Sequence, residues 1–528
     1  MPAQKKKHMG RKLLAALVLV LLVLLSVINI ELLSKPLEKF FQQDLLFEEF
    51  VDALQEGYTS DDFVYKNDFV NLNGLFARLT GRRTLNNVVK LNNGMLSAVV
   101  EDRDMTDLIS AITGFAGYLR EQDTPFLYVQ LPYKESLDGQ SFPAGLSSHG
   151  NQIADEMLER LQAKEFETLD LRPLLSQTPE MLERYFYKTD HHWNSDGAFV
   201  GFQEILNYLN KMFPEANIDL TYAQADQWER HTLDDWSLGS WGKRVGIYFD
   251  GTDPLIWHTP KFETELSCAI PEDGLFYRGD FTEANIYEKC IEEKDYFEHI
   301  AYSVYIGGDY PLVQHRNLYA PSPLKVMLIK DSFSLPLQAF LSTVFQEIDV
   351  IDPRYFEDCT VAEYAARTAP DLVILAINPD WPGEEQDYGE KDAISLSAED
   401  GAEENASEPA VQQDIKIEAR DIIFNYAPYP LDANTAYRVS FAGVDVLEGE
   451  TGGAGLRLYD RTTEEILENA IFDLAYCEAA DGFHWTFRTP DTQDEYQLLF
   501  YAGIYAHTAG NSVVYRDVAV EKLSFDAP

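Results

Sequence analysis

The residues best suited to chemistry in this chain are an aspartate and a histidine two positions apart, Asp190 and His192 in YFYKTDHHWNSDGAF (185–199), and a distant serine, Ser332 in KVMLIKDSFS (325–334). An aspartate that accepts the Nδ1 proton of a histidine fixes the ring's tautomer and leaves Nε2 as a general base. In an extended segment residues i and i+2 share a side, so Asp190 and His192 meet while His191 points the other way. Ser332 follows an apolar run directly and precedes a helical stretch. That order sets its hydroxyl at the carboxyl end of a strand, beside a helix N-terminus whose N–H groups can face a developing oxyanion. The expected chemistry is nucleophilic catalysis, with Ser332 as nucleophile, His192 as base and Asp190 orienting the base.

Each of these residues also has a plainer role open to it. Ser332 can be a helix N-cap, or Asp331 can take that place, and Asn194 or Ser195 can cap the helix after the histidines. His191 is expected to be structural. A zinc site on Asp190, His191 and His192 lacks further ligands at helical or hairpin spacing, so no metal and no cofactor are expected. Trp193 can floor a sugar site or wedge into the core. Arg354 and Tyr355, just past EIDVID (347–352), can bind a carboxylate or a sugar hydroxyl, or Arg354 can sit in a structural ion pair.

The elements that must position these residues are legible as alternating patterns. Apolar runs at 125–131, 166–171, 325–329, 347–352 and 371–377 alternate with helix-like stretches at 105–122, 151–165, 195–213, 334–345 and 361–369. Strands alternating with helices imply crossover units, hence a three-layer α/β/α sandwich with a mostly parallel sheet over residues 61–382. Residues of about 220–320 lack clear periodicity and read as a long insertion before the strand at Lys325. Residues 383–410 read as a solvated acidic linker, since 383–409 holds ten acidic residues and one lysine. Alternation at 437–441, 456–460, 484–489, 495–505 and 513–523 makes 411–528 an all-β sandwich of jelly-roll type. Its aromatics Trp485, Tyr501 and Tyr505 can stack on sugars or pack in its core.

At the other end, a basic tip precedes the apolar run Leu13–Ile30. We expect residues 1–34 to be a cytoplasmic tip and signal-anchor transmembrane helix, 35–60 a helical stalk, and the remainder extracytoplasmic. A cleaved signal peptide would export the same body. Cys268, Cys290, Cys359 and Cys477 show no metal-ligand spacing; Cys268 and Cys290 are the first pair to test for a disulfide, and buried thiols are the plainer reading. A formal charge of −46 excludes non-specific nucleic-acid binding, which needs clustered Lys and Arg.

TDHHWNSDGA, followed downstream by the DSF of KDSFS, resembles the DHHW branch and the alginate O-acetyltransferases of the SGNH (GDSL) hydrolase superfamily. The Asp-x-His pair precedes the serine, the reverse of the usual order in that superfamily and the order of this branch. LNG (72–74), LGSWGKRVG (238–246) and IDPRYF (351–356) also resemble stretches of DHHW proteins. The resemblance implies an SGNH-like fold and an acetyl-enzyme on Ser332 whose acyl group passes to hydroxyls of a cell-surface or secreted polysaccharide. It further implies a partnership with a membrane-bound O-acyltransferase as acetyl donor, at a bacterial cell membrane, and a C-terminal domain placed like a carbohydrate-binding module. Lys330 stands where most SGNH enzymes have a glycine, and Gly239 and Ser240 of LGSWG are the stand-ins for the superfamily's separate oxyanion donors. An acetyl esterase using the same residues, and a non-catalytic glycan-binding scaffold, are the rival readings.

Overall fold

The computed structural model describes residues 27–29, 63–216, 218–298, 300–356, 359–378, 404–406, 412–418, 429–449, 453–479, 482–492, 494–502 and 511–525. The expected stalk, most of the expected signal anchor, and Tyr505 lie outside the described residues. Among the described residues no helix is long and apolar enough to cross a membrane. The chain divides into two compact units: residues up to Leu85 with Lys243–Gly251, and Asn86–Gly242 with Thr252 onward. In the first, helix α1 (Lys66–Leu79) packs on Ile247–Asp250, with Asn71 Oδ1 accepting from the Ile247 N–H at 2.8 Å.

The second unit is built on eight strands: β1 (Phe126–Gln130), β2 (Glu167–Asp170), β3 (Leu266–Ile270), β4 (Leu275–Gly279), β5 (Leu312–Asn317), β6 (Ser322–Lys330), β7 (Phe345–Ile351) and β8 (Leu372–Ile377). Their order across the sheet is β2-β1-β8-β6-β7-β5-β3-β4. The strands from β2 to β7 are parallel. The helices α2 (Thr106–Glu121), α3 (Gly150–Gln162), α4 (Ser195–Met212), α5 (Leu335–Leu341) and α6 (Val361–Thr368) connect them.

Every residue of β1 and β8 is buried, as parallel strands covered on both sides require. The period of two sorts their side chains between two cores. Leu127, Val129, Leu328 and Ile374 pack with Phe202 of α4 and Phe340 of α5. Tyr128, Met327, Ile329 and Val373 pack with Phe115 of α2, Met157 of α3 and Ala365 of α6. The result is three layers.

The region expected as an unpatterned insertion departs from its reading. It supplies β3, β4 and β5, which extend the sheet in antiparallel fashion beyond β7, so the sheet is mixed. These strands were hidden by their patterns: β4 is half-exposed throughout and β5 carries Gln, His and Arg among its apolar residues. Antiparallel strands joined by short turns also need no intervening helix to announce them. A separate hairpin, Trp228–Ser237 with Asp253–Pro260, completes the region.

The C-terminal residues form two antiparallel sheets. Val439, Phe441 and Tyr515 of one share a core with Leu456, Leu498 and Phe500 of the other. A short strand at Glu404–Ala406, inside the expected linker, pairs with Leu523–Phe525. Tyr501 is buried with its hydroxyl on Asn469 and so belongs to packing, whereas Trp485 is half-buried against Phe487. The sandwich is fastened to the antiparallel end of the main sheet by Arg278–Asp473 at 2.6 Å, Tyr476–Glu347 at 2.9 Å and Asn469 to the Pro271 carbonyl at 2.7 Å. None of the four cysteines is in a disulfide. Cys268 and Cys290 are not joined; burial pushes them up to about 12 and about 11.

Candidate functional site

Strand β6 ends at Lys330, in the middle of the sheet, and the chain turns at once into the short 3-10 helix Ser332–Ser334 that leads into α5. Asp331 caps that turn: its carboxylate accepts from the N–H groups of Phe333 at 3.0 Å and Asn378 at 2.7 Å. Burial pushes the Asp331 carboxyl up to about 6. Because Asp331 serves as the cap, the Ser332 hydroxyl is left for another partner. That partner is His192, whose Nε2 lies 2.8 Å from Ser332 Oγ.

On the other side of the ring, His192 Nδ1 lies 2.6 Å from Asp190 Oδ1, which also accepts from the His192 backbone N–H at 2.9 Å. The aspartate thus closes a local turn around its own partner, a frequent use of Asp at bends. Residues 188–192 are bends rather than strand, and this corrects the expected direction of His191. Its ring lies beside that of His192, with centroids 3.5 Å apart, and its Nδ1 bonds Ser240 Oγ at 2.6 Å. Burial acts to raise the Asp190 carboxyl, but the His191 and His192 rings and the hydrogen bonds from His192 hold it well below the usual carboxylate range. Asp190, His191 and His192 offer ligand atoms within 4.8 Å of one another. Tetrahedral zinc bonds of about 2.0–2.1 Å, however, set ligand atoms roughly 3.3 Å apart, so the 2.6 Å between Asp190 and His192 fits a shared proton.

A dense frame holds the loop. Tyr302 stacks on His192, with centroids 3.8 Å apart and planes within 5°. The Tyr302 hydroxyl and the Trp193 indole N–H both donate to the Phe333 carbonyl, tying the histidine loop to the serine turn. Trp193 has no exposed surface, which corrects its reading as a sugar floor. Asn194, and not Ser195, caps α4 by accepting from the Gly197 N–H at 3.0 Å. Lys134, just past β1, is buried and donates from Nζ to the carbonyls of Tyr187, Lys188 and Asp190. Asp253 accepts from the N–H groups of Lys188 and Thr189. Neither Lys134 nor Asp253 was singled out from sequence; the only signal for Lys134 is its position at the carboxyl end of a buried strand, the end at which sites gather in α/β folds.

The remaining expected site residues lie elsewhere in the scheme. The Gly239 N–H is taken by Thr189 Oγ1 at 2.9 Å and the Ser240 N–H by Asp190 Oδ2 at 2.8 Å, so both hold the aspartate's side of the site instead of facing an oxyanion. Gly239 has a steric reason to be glycine: a Cβ there would lie 2.3 Å from Asp190 Cβ. Arg354 forks onto Asp352 at 2.8 and 2.6 Å and reaches Asp309 at 3.1 Å, while buried Lys330 bonds the same two carboxylates. This four-charge network accounts for Arg354 as structural and for the lysine in the glycine's place. Tyr355 is exposed beneath the Arg354 guanidinium. Beside the site lies a small cavity of about 320 Å³, its open mouth included, walled by Tyr133, Trp241, His191, Phe333 and Asn378.

A second Ser–His–Asp arrangement is present. Ser195 Oγ lies 2.8 Å from His258 Nδ1, and His258 Nε2 lies 3.3 Å from Asp196 Oδ1. Its chemistry is less open than that of the first set. Ser195 Oγ is also bonded to the Tyr305 hydroxyl at 2.8 Å, His258 is packed between Phe199 and Phe340, and Asp196 is forked by Arg230. Burial raises the Asp196 carboxyl, yet the bonds from His258 and Arg230 prevail and bring it down to about 2.

Residues 91–231 match the family described as the SGNH hydrolase-like domain of acetyltransferase AlgX. The matched stretch contains Asp190 and His192 and stops short of Ser332. It bears out the resemblance of TDHHWNSDGA to that branch of the SGNH superfamily. The comparison with curated protein sequences found no match. Among solved structures, PatB1 from Bacillus cereus is similar at 21% identity over 56% of this chain and 97% of that one, with a TM-score of 0.47. A DHHW family protein from Eubacterium siraeum is 17% identical over 58% of this chain and 95% of that one, with a TM-score of 0.43. The O-acetyltransferase domain of Pseudomonas putida AlgJ is 12% identical over 55% and 91%, with a TM-score of 0.34.

Proposed function

From the resemblance to the SGNH hydrolase-like acetyltransferases, we propose that this protein is an extracytoplasmic O-acetyltransferase that moves an acetyl group through Ser332 to hydroxyls of a cell-surface or secreted polysaccharide. The observation that carries this reading is the continuous hydrogen-bonded line from Asp190 Oδ1 through His192 to Ser332 Oγ, at 2.6 and 2.8 Å. His192 takes the Ser332 proton as Oγ attacks the donor's carbonyl carbon, and returns it to the leaving group as the tetrahedral intermediate collapses to an acetyl-serine. A sugar hydroxyl then gives its proton to His192 and attacks the acetyl carbonyl. Collapse breaks the bond to Oγ, which recovers the proton. Asp190 stays ionised throughout and stabilises the imidazolium, a role that its low proton affinity supports.

In this reading the residues before Ser34 anchor the chain in a bacterial cell membrane, a membrane-bound O-acyltransferase supplies the acetyl group, and the C-terminal sandwich holds the glycan. No cofactor or metal is invoked. The test is an aryl acetate as donor, with and without an oligosaccharide acceptor. Acetyl mass gained by the acceptor supports transfer, and Ser332→Ala should abolish it while His258→Ala leaves it measurable. Rapid acetate release with no mass gained by any acceptor would make the protein an esterase, and a Ser332→Ala variant that still acetylates would dismiss the site.

A further inference from the structure

The imidazole of His192 has a close neighbour on its face as well as at both of its nitrogens. Tyr302, in a short 3-10 turn (Ala301–Val304) before β5, lays its ring on that face, with centroids 3.8 Å apart and planes within 5°. His191 and Phe333 also lie near the ring, but they are tilted to it by 41° and 60°. Among the described residues, Tyr302 alone is stacked flat on His192. Several contacts hold the tyrosine in this pose. Its hydroxyl accepts from the Trp193 indole N–H at 3.0 Å and donates to the Phe333 carbonyl at 2.5 Å, and Tyr187 meets its ring in a T-shaped contact with centroids 6.4 Å apart. Tyr302 is buried, and burial raises its phenol well above the usual range, so the ring stays neutral.

A neutral aromatic ring has an electron-rich face that attracts a cation placed over it, and the attraction is stronger where water is excluded. In acyl transfer, His192 gains a positive charge only while it holds the proton of Ser332 or of the sugar hydroxyl. An attraction felt only then lowers the barrier instead of tightening the resting state. Asp190 meets that charge at the ring's edge, 2.6 Å from Nδ1, and leaves the face to Tyr302. The bond from the Tyr302 hydroxyl to the Phe333 carbonyl ties the tyrosine to the turn that carries Ser332, so the face stays over the imidazole as the proton moves. We propose that Tyr302 is a positioning residue of this site, whose ring face holds His192 in line with Ser332 and stabilises its imidazolium. The inference rests on the acyl-transfer reading.

The test keeps the shape of the ring and drains electron density from its face. In the full-length chain Tyr302→Phe is compared with singly, doubly and triply fluorinated phenylalanine at the same position, and with Tyr302→Leu. Two quantities are followed: kcat and KM for an aryl acetate, and the rate at which an arylsulfonyl fluoride labels Ser332, read by mass spectrometry. In the labelling step Ser332 Oγ bonds to sulfur, its proton goes to His192 and fluoride leaves, so neither an acetyl donor nor a sugar is needed. Tyr302→Phe should retain most of the parent rate. Each added fluorine should then lower kcat and the labelling rate, to about tenfold below Tyr302→Phe for the triply fluorinated ring, with KM unchanged and Tyr302→Leu at least as slow. Rates indifferent to fluorine would overturn the proposal and leave Tyr302 a packing residue, while labelling of Ser332 keeps the acyl-transfer reading standing. A parent protein that neither cleaves the aryl acetate nor labels at Ser332 would overturn both.

Discussion

At the scale of single residues, the pairing of His192 with Ser332 depends on groups one step removed from the serine. Asp190 faces the ring nitrogen opposite the one that meets Ser332, and Asp190→Asn keeps the shape of the loop while favouring the wrong tautomer. Its kcat should fall by about 10³–10⁴ with KM nearly constant, as read from aryl acetate turnover at pH 7. Lys134 spends its ammonium on three backbone carbonyls of the loop that carries Asp190. Lys134→Met leaves those acceptors buried and unmatched and should cost roughly 3 kcal/mol or more in denaturant unfolding. In the surviving folded fraction kcat should drop while KM holds, and Lys134→Arg should restore part of it; a loss of stability with unchanged kcat would leave Lys134 a purely structural clamp.

At the scale of elements, β5 shows what the antiparallel extension demands. His315 lies on it opposite Ile348 of β7 and Cys268 of β3, and is 1% exposed. Burial pushes its ring down to about 3. The folded state therefore holds it neutral while the unfolded chain protonates it below its ordinary value of 6.5. Stability from this residue is complete above pH 6.5 and is lost as pH falls toward 3. By pH 5 the loss should reach about 2 kcal/mol, and His315→Leu should flatten that part of the profile, as followed by urea midpoints at pH 7.5 and 5. An unchanged slope in the variant would assign the acid sensitivity to other groups.

At the scale of the whole molecule, the C-terminal sandwich keeps a buried core separate from those of the main sheet and meets that sheet through polar contacts such as Arg278–Asp473. Asp473, 6% exposed, depends on Arg278 for its charge partner. Arg278→Ala should strand that carboxylate and weaken docking by about 2–4 kcal/mol. A single calorimetric transition in the parent should then broaden or split in the variant, and one sharp transition in both would deny the contact its role in coupling the domains. Acetyl transfer to an aryl-alcohol acceptor should be spared by this change, since Ser332 and His192 sit at the far ends of β6 and of the loop before α4, away from β4.

The residue types and spacing by themselves determined the pairing of Asp190 with His192, the place of Ser332 after β6, and the five parallel strands with their helices. Short-range periodicity and i to i+2 geometry encode those features directly. Only the tertiary structure decided the rest. Whether a buried histidine points toward or away from its neighbour, as His191 does toward His192, is set by bends whose form depends on Lys134 and Asp253 from distant segments. Gly239, Ser240 and Arg354 were legible as polar or small residues near the site, but their hydrogen-bonding capacity is spent on Thr189, Asp190 and Asp352. The strands β4 and β5 escaped notice because a partly exposed antiparallel strand draws its stability from neighbours across the sheet, and a pattern along one chain does not record who those neighbours are; β3 is fully buried but only five residues long.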